Sequence, residues 1–153
     1  LLLPDGTVID ESLDIMKWSL TQNDPENWLG TGSQTDEIFT LIERNDTTFK
    51  HYLDRYKYPN RYPEEETTGI AARDMNIKIL TDLDQRIAQN GFLCGNTQTL
   101  ADMAIFPFIR QFAHVDRDWF YNLPNENLKN WLTANLESSS FNSIMKKHDL
   151  WTI

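Results

Sequence analysis

Phe92-Leu93-Cys94-Gly95-Asn96-Thr97-Gln98-Thr99-Leu100-Ala101-Asp102-Met103-Ala104-Ile105-Phe106-Pro107 is the stretch from which the fold of this chain can be read. Thr99 followed by Asp102 has the form of a capping box, a hydroxyl at the N-cap and an acidic side chain three residues on, with Asp in place of the usual Glu or Gln. Beyond the cap, Leu100, Ala101, Met103, Ala104, Ile105, Phe106, Phe108, Ile109 and Phe112 leave almost no polar face. A helix that is apolar all round belongs at the centre of a core. Pro107 has no N–H for the carbonyl of Met103, so a kink is expected there. The carboxylate of Asp102 lies in an apolar setting, but its cap position accounts for it without catalysis; Thr99 and Asp102 read as a structural N-cap.

Working upstream, Ile38, Leu41, Ile42, Phe49, Tyr52, Leu53 and Tyr56 keep a three-and-four spacing that predicts a long amphipathic helix. A polar break from Lys57 to Tyr62 contains Pro59. Pro63 suits a first helical turn, and Glu64, Glu65 and Glu66 would sit at the positive end of a helix dipole. The next stripe is Ile70, Ile77, Leu80, Leu83 and Ile87, stopped by Asn90-Gly91. Two long helices joined by a short break should pack antiparallel. Downstream, Leu128, Trp131, Leu132 and Leu136 mark one shorter helix with Asn125 as its cap, and Phe141, Ile144 and Met145 mark another. The expected fold class is all-α, a bundle around one buried helix, spanning 35–153.

The beginning of the chain has a different pattern. Leu1 to Leu3 reads as a strand end, Pro4-Asp5-Gly6 as a tight turn, and Thr7-Val8-Ile9 as a short β-branched return strand. After Asp10-Glu11-Ser12, a helix is marked by Leu13, Met16, Lys17 and Leu20. A lone hairpin is marginal in water, so the expectation is that residues 1–20 close a sheet whose other strands lie upstream. Residues 21–34, polar and turn-rich with Trp28-Leu29 as anchor, read as a linker.

Bulk properties bound the function. The 153 residues carry 14 Lys and Arg against 23 Asp and Glu, a net charge of -9. Phosphate binding needs clustered cations, so a general nucleic-acid partner is not expected, nor is an anionic membrane surface. No apolar run reaches the ~18 residues of a transmembrane helix, and the Leu1-Leu2-Leu3-Pro4 opening lacks the basic flank of a secretory signal. Cys94 is the single cysteine, which rules out an internal disulfide and fits a reducing, cytoplasmic setting. In its Phe-Leu-Cys-Gly context it reads as a buried inert thiol rather than a redox centre. His51, His114 and His148 show no ligand spacing with one another or with Cys94, so no metal is expected. Asn45-Asp46-Thr47 has the form of a glycosylation acceptor, with nothing to indicate secretion.

Two segments carry a family resemblance. Phe92-Leu93-Cys94-Gly95, a spacer, and Thr99-Leu100-Ala101-Asp102 resemble the Gly-spacer-Ser/Thr-x-Ala-Asp signature of the glutathione transferase C-terminal domain, where it opens the central helix and serves folding. Asp5-Gly6-Thr7-Val8-Ile9-Asp10-Glu11-Ser12-Leu13 resembles the last hairpin of that family's thioredoxin-like domain. The two lie in family order and frame nearly the whole chain.

The resemblance implies that Glu11 and Ser12 grip the γ-glutamyl end of glutathione. Helix-start N–H groups and the Ser12 hydroxyl suit a carboxylate, and the Glu11 carboxylate suits an ammonium. Read from composition alone, Asp10, Glu11 and Ser12 are an ordinary helix cap. The resemblance also implies that Tyr52 and Tyr56 line a cleft for an apolar second substrate, although their helical spacing fits core or interface equally. It further implies a homodimer, glutathione as cosubstrate, and an apolar or disulfide second substrate.

The family's catalytic Tyr, Ser or Cys and its cis-Pro are expected upstream of Leu1, so the parent would activate the glutathione thiol for conjugation or thiol–disulfide exchange. The 153-residue chain alone is expected to be inactive. Two other readings stay open: a non-enzymatic regulator sharing the fold, of the stringent-starvation type that binds RNA polymerase, and a helical protein–protein interaction module.

Overall fold

The computed structural model describes residues 1–147, 149 and 150. In chain order the helices are α1 (Ser12–Gln22), α2 (Ser33–Arg44), α3 (Lys50–Lys57), α4 (Ile70–Met75), α5 (Ile77–Asn90), α6 (Leu100–Ala113), α7 (Arg117–Tyr121), α8 (Glu126–Glu137) and α9 (Ser139–Ile144). The fold is all-α among the described residues.

Helix α6 lies at its centre. Leu100, Ala101, Asp102, Ile105, Phe106, Ile109, Phe112 and Ala113 are all buried, as the apolar run predicts. Phe112 is the aromatic hub, with ring centroids 5.4 Å from Phe49, 5.2 Å from Tyr56 and 6.1 Å from Trp119. The helix runs through Pro107, which is exposed and offers its ring to the surface.

The long upstream helix contains a defect its periodicity did not announce. A π-helical turn, Asn45–Phe49, joins α2 to α3. The extra residue in this turn keeps Phe49 and Leu53 fully buried along with Ile38. Buried Asn76, between α4 and α5, donates from Nδ2 to the Phe49 carbonyl at 3.2 Å and ties the turn to the second helix pair. Asn45 is itself buried, so the Asn-Asp-Thr acceptor pattern falls inside the packed turn.

Several expectations are corrected. Pro63 does not open a helix: α4 starts at Ile70, and Glu65 is instead held by Arg55, whose Nη2 reaches Glu65 Oε1 at 2.6 Å. Ile70 and Ile77 are 65% and 38% exposed, so the buried stripe of this segment is Leu80, Leu83 and Ile87. The break at Asn76 turns the two isoleucines away from the face the periodicity gave them. In α9 only Phe141 packs inward, edge-on to Phe106 at 5.3 Å, while Ile144 and Met145 are exposed. Helix α7 is too short to show a periodicity in the sequence, and its N-cap Asp116 accepts from the Trp119 N–H at 3.0 Å. Asn125 stands at the N-cap of α8 without a side-chain cap bond. The cap comes from α5, where Asp84 Oδ1 accepts the Leu128 N–H at 2.9 Å.

At the start of the chain, the Leu3 N–H donates to the Thr7 carbonyl and the Ile9 N–H to the Leu1 carbonyl, both at 2.8 Å. The hairpin turn is present, but Leu2 and Val8 form only an isolated bridge. Helix α1 runs to Gln22 and α2 begins at Ser33, so helix enters both ends of the stretch read as linker. What remains between them is pinned. Asp24 accepts the N–H groups of Trp28 and Leu29 at 2.7 and 2.9 Å, and the Trp28 carbonyl accepts from Leu100 N–H at 2.9 Å.

Candidate functional site: grooves around Pro107

Asp102 is fully buried and receives four donors. The Leu93 N–H and Trp131 Nε1–H reach Oδ1 at 3.1 and 3.0 Å; the Thr99 N–H and hydroxyl reach Oδ2 at 2.9 and 3.0 Å. Burial pushes its carboxyl above the usual range, opposed by the hydrogen bonds from Thr99, Leu93 and Trp131. With every lone pair directed at a structural partner, the group joins the 92–95 turn, the start of α6 and helix α8. It faces none of the grooves described below.

Cys94, one residue from that network, is 4% exposed. Burial, then the charges of Glu37 and Asp102, pushes its thiol up to about 12. It is a protonated core side chain at neutral pH.

Three grooves meet at Pro107. One, of about 270 Å³, contains Ser12 and Met16 of α1, Ile42 and Asp46 from the α2 side, and Ala104 and Phe108 of α6. A second, of about 440 Å³, is apolar and lies between Trp28, Met103, Phe106 and Phe141. A third, of about 570 Å³, is walled by Lys57, Tyr58, Arg110, His114 and Val115. Pro107 belongs to all three, and Arg110 to the second and third. The small, rigid, N–H-free ring lets the surface stay open where a longer side chain on the solvent side of α6 would fill it.

Ser12 therefore lies on the wall of a groove, at the first position of an 11-residue helix whose leading N–H groups have no partner within the helix. Glu11 is the N-cap residue, exposed, and makes no side-chain cap bond. The ordinary-cap reading of Glu11 is thus not what the geometry shows; its carboxylate points to no first-turn N–H.

Tyr56 fits the core alternative that its helical spacing allowed. Tyr56 is 8% exposed and packed on Phe112, where it serves the core, and Tyr52 is half-buried with His51 edge-on at 4.8 Å. Neither lines any of the three grooves. Residues three or four apart share a helix face, and here that face turns toward the core at Tyr56. The groove is lined instead by Lys57 and Tyr58 at the end of α3 and by Arg110. The signal available in the sequence was Arg110, the one cation of α6. No group of His, Cys, Asp and Glu among the described residues has metal-binding geometry, and His148 lies outside those residues.

Residues 77–134 match the family model for the glutathione S-transferase C-terminal domain. No curated protein shows significant sequence similarity to the chain. Among solved structures, a glutathione S-transferase from Rhodospirillum rubrum F11 superposes with a TM-score of 0.75 at 18% identity, over 97% of this chain and 70% of that protein. A Gtt2-class glutathione S-transferase of Vibrio parahaemolyticus gives 0.74 at 17% identity, over 94% and 70%. Ure2p5 from Phanerochaete chrysosporium, cocrystallized with 1-(S-glutathionyl)-2,4-dinitrobenzene, gives 0.74 at 15% identity, over 91% and 68%. At these identities the likeness establishes the fold.

Proposed function

We propose that the chain, whose residues 77–134 match the glutathione S-transferase C-terminal domain, is part of a glutathione-dependent transferase or thiol oxidoreductase. In this reading residues 1–20 close a thioredoxin-like domain, and Glu11 and Ser12 hold the γ-glutamyl end of glutathione. The N–H groups and hydroxyl at the start of α1 take the carboxylate; Glu11 takes the ammonium. The grooves at Pro107 receive the second substrate, and the thiol-activating residue comes from outside the chain. The parent acts as a cytoplasmic homodimer. Glutathione-bound neighbours of the same fold, Ure2p5 with its conjugate among them, support this reading.

The observation that carries it is the position of Ser12 on the wall of a groove shared with Ala104, Pro107 and Phe108 of the central helix. A ligand anchored at the start of α1 would have its other end directed along α6.

The test is titration of glutathione into the ¹⁵N-labelled chain, followed at the amides of residues 11–14. Shifts that saturate at millimolar glutathione and disappear in Ser12→Ala support the reading. Unmoved amides at residues 11–14 would sink it, and an interaction module would become the better account.

A further inference from the structure

Helix α8 turns an uncharged face to solvent, in a chain of which 24% is Asp, Glu, Lys or Arg. Between Glu126 and Glu137 its exposed positions are Asn127, Asn130, Thr133 and Ala134. A solvated helix face ordinarily carries Lys, Glu or Arg, which are also better helix formers than Asn or Thr. This face therefore gives up helix stability, and the space beside it supplies a reason. A groove of about 510 Å³ lies between α8 and the end of α5. Four carboxamides line it, those of Gln98, Asn127, Asn130 and Asn135, together with the apolar surfaces of Ile87, Phe92 and Ala134.

Three of the four carboxamides are already oriented. Asn127 Nδ2 donates to Asp84 Oδ2 of α5 at 3.2 Å, and Gln98 Nε2 donates to Asn135 Oδ1 at 3.3 Å. Asn135, 6% exposed, donates from Nδ2 to the Trp131 carbonyl at 2.9 Å. A carboxamide has two N–H donors and an oxygen with two lone pairs, so each of these groups keeps capacity to spare. Side chains fixed beforehand lose less freedom when a ligand arrives. No Asp, Glu, Lys, Arg or His among the described residues lines the groove. Asn135 and Ser138 also border the apolar 440 Å³ groove, but Ser12, Pro107 and Arg110 take no part in this one.

We propose that the groove between α5 and α8 binds a short, neutral, linear saccharide. A carboxamide presents a donor and an acceptor side by side, which suits the vicinal hydroxyls of a pyranose. The C–H face of the same ring suits Ile87, Phe92 and Ala134. An ionic ligand would find no counter-charge here, and a wholly apolar one would leave the carboxamides without partners. A peptide held along its backbone is ordinarily added to a sheet edge, whereas both walls of this groove are helices. From Asn127 to Ser138 the α8 wall runs for about 16 Å at the rise of an α-helix, room for a chain of sugar rings rather than one.

The probe is cellotriose, a straight neutral trisaccharide, titrated into the ¹⁵N-labelled chain, with sorbitol as a polyol that lacks a ring face. Cellotriose should shift the amides of Phe92, Asn130 and Ala134 and saturate at millimolar concentration, and sorbitol should bind about tenfold more weakly or less. Asn130→Ala should weaken cellotriose by about threefold to tenfold, the range of one hydrogen bond. The same variant should keep or raise the thermal midpoint, because Ala is the better helix former. Ala134→Lys lays a long side chain in the groove and should abolish the shifts; both positions are exposed, so neither change disturbs the core. Unmoved α8 amides, equal binding of sorbitol, or unchanged affinity in Asn130→Ala would overturn the proposal. Tighter binding of tetra-alanine than of cellotriose would also overturn it and assign the groove to peptides. Ser12→Ala should leave cellotriose binding intact, so failure of the saccharide site and failure of the glutathione reading are seen separately.

Discussion

Trp131 Nε1 donates to Asp102 Oδ1 at 3.0 Å, so an indole of α8 completes the hydrogen bonding of the carboxylate that opens α6. Both residues are buried, at 5% and 0% exposure, and the contact spans 29 positions of sequence. It turns a local cap into a tertiary joint, because the same carboxylate also holds the 92–95 turn through Leu93.

Asp102→Asn should therefore destabilise the domain by about 3 kcal/mol, since an amide NH₂ would face donors at Thr99 or at Leu93 and Trp131. Trp131→Phe keeps the ring and loses one bond, for about 1 kcal/mol. Urea denaturation of both variants measures the difference. Equal losses would mean that ring packing, not the hydrogen bonds, holds the joint.

The Cys94 thiol should resist alkylation by iodoacetamide at pH 8 in the native chain and react fully in urea, as read by intact mass. Its sign with pH is definite. The unfolded thiol ionises near 9.0, while the folded thiol keeps its proton to about 12. Ionisation therefore favours the unfolded chain, and stability present below pH 9 is lost as pH rises through that window. Cys94→Ala should flatten this alkaline loss.

Asp82 behaves in the opposite sense. Burial raises its carboxyl, but the Arg44 and Arg86 guanidiniums outweigh burial and leave it below the usual 3.8. The pair holds α2 to α5, with Arg44 Nη2 at 2.6 Å. Stability from this ion pair is complete above the unfolded value and is lost as pH falls through the lower folded one. Between pH 7 and pH 2 the urea midpoint of the native sequence should fall further than that of Arg44→Met. An identical fall in both would assign the acid sensitivity to other carboxylates.

Asp84→Ala should fray the start of α8 rather than unfold the domain, because it removes the acceptor for Leu128 N–H supplied from α5. The expected cost is about 1 kcal/mol, the usual value of an N-cap. Hydrogen exchange should accelerate at Leu128 and leave Ile105 and Ile109 in α6 protected. Uniform acceleration across α6 and α8 would show that the cap supports the whole core.

How much of this was legible in the sequence depends on the range of the interaction concerned. The burial of α6 could be read directly, because an apolar side chain at every turn of a helix has no orientation that reaches water. The capping positions of Thr99 and Asp102 were equally local, three residues apart on one chain. The groove lining was not legible. Tyr52 and Tyr56 share the periodicity of a lining face, but only packing against Phe112 decides that Tyr56 belongs to the core. Lys57, Arg110 and His114 are drawn from separate helices and the loop that follows α6.

The sequence by itself determined a helical body, its central helix and the cap that starts it, because those follow from nearest-neighbour periodicity and composition. Only the tertiary structure decided that Asp84 caps α8, that Trp131 completes Asp102, and that Lys57 and Arg110 share a groove with Pro107. Those contacts join residues tens of positions apart, and their geometry is set by how the helices pack, which no local pattern of side chains encodes.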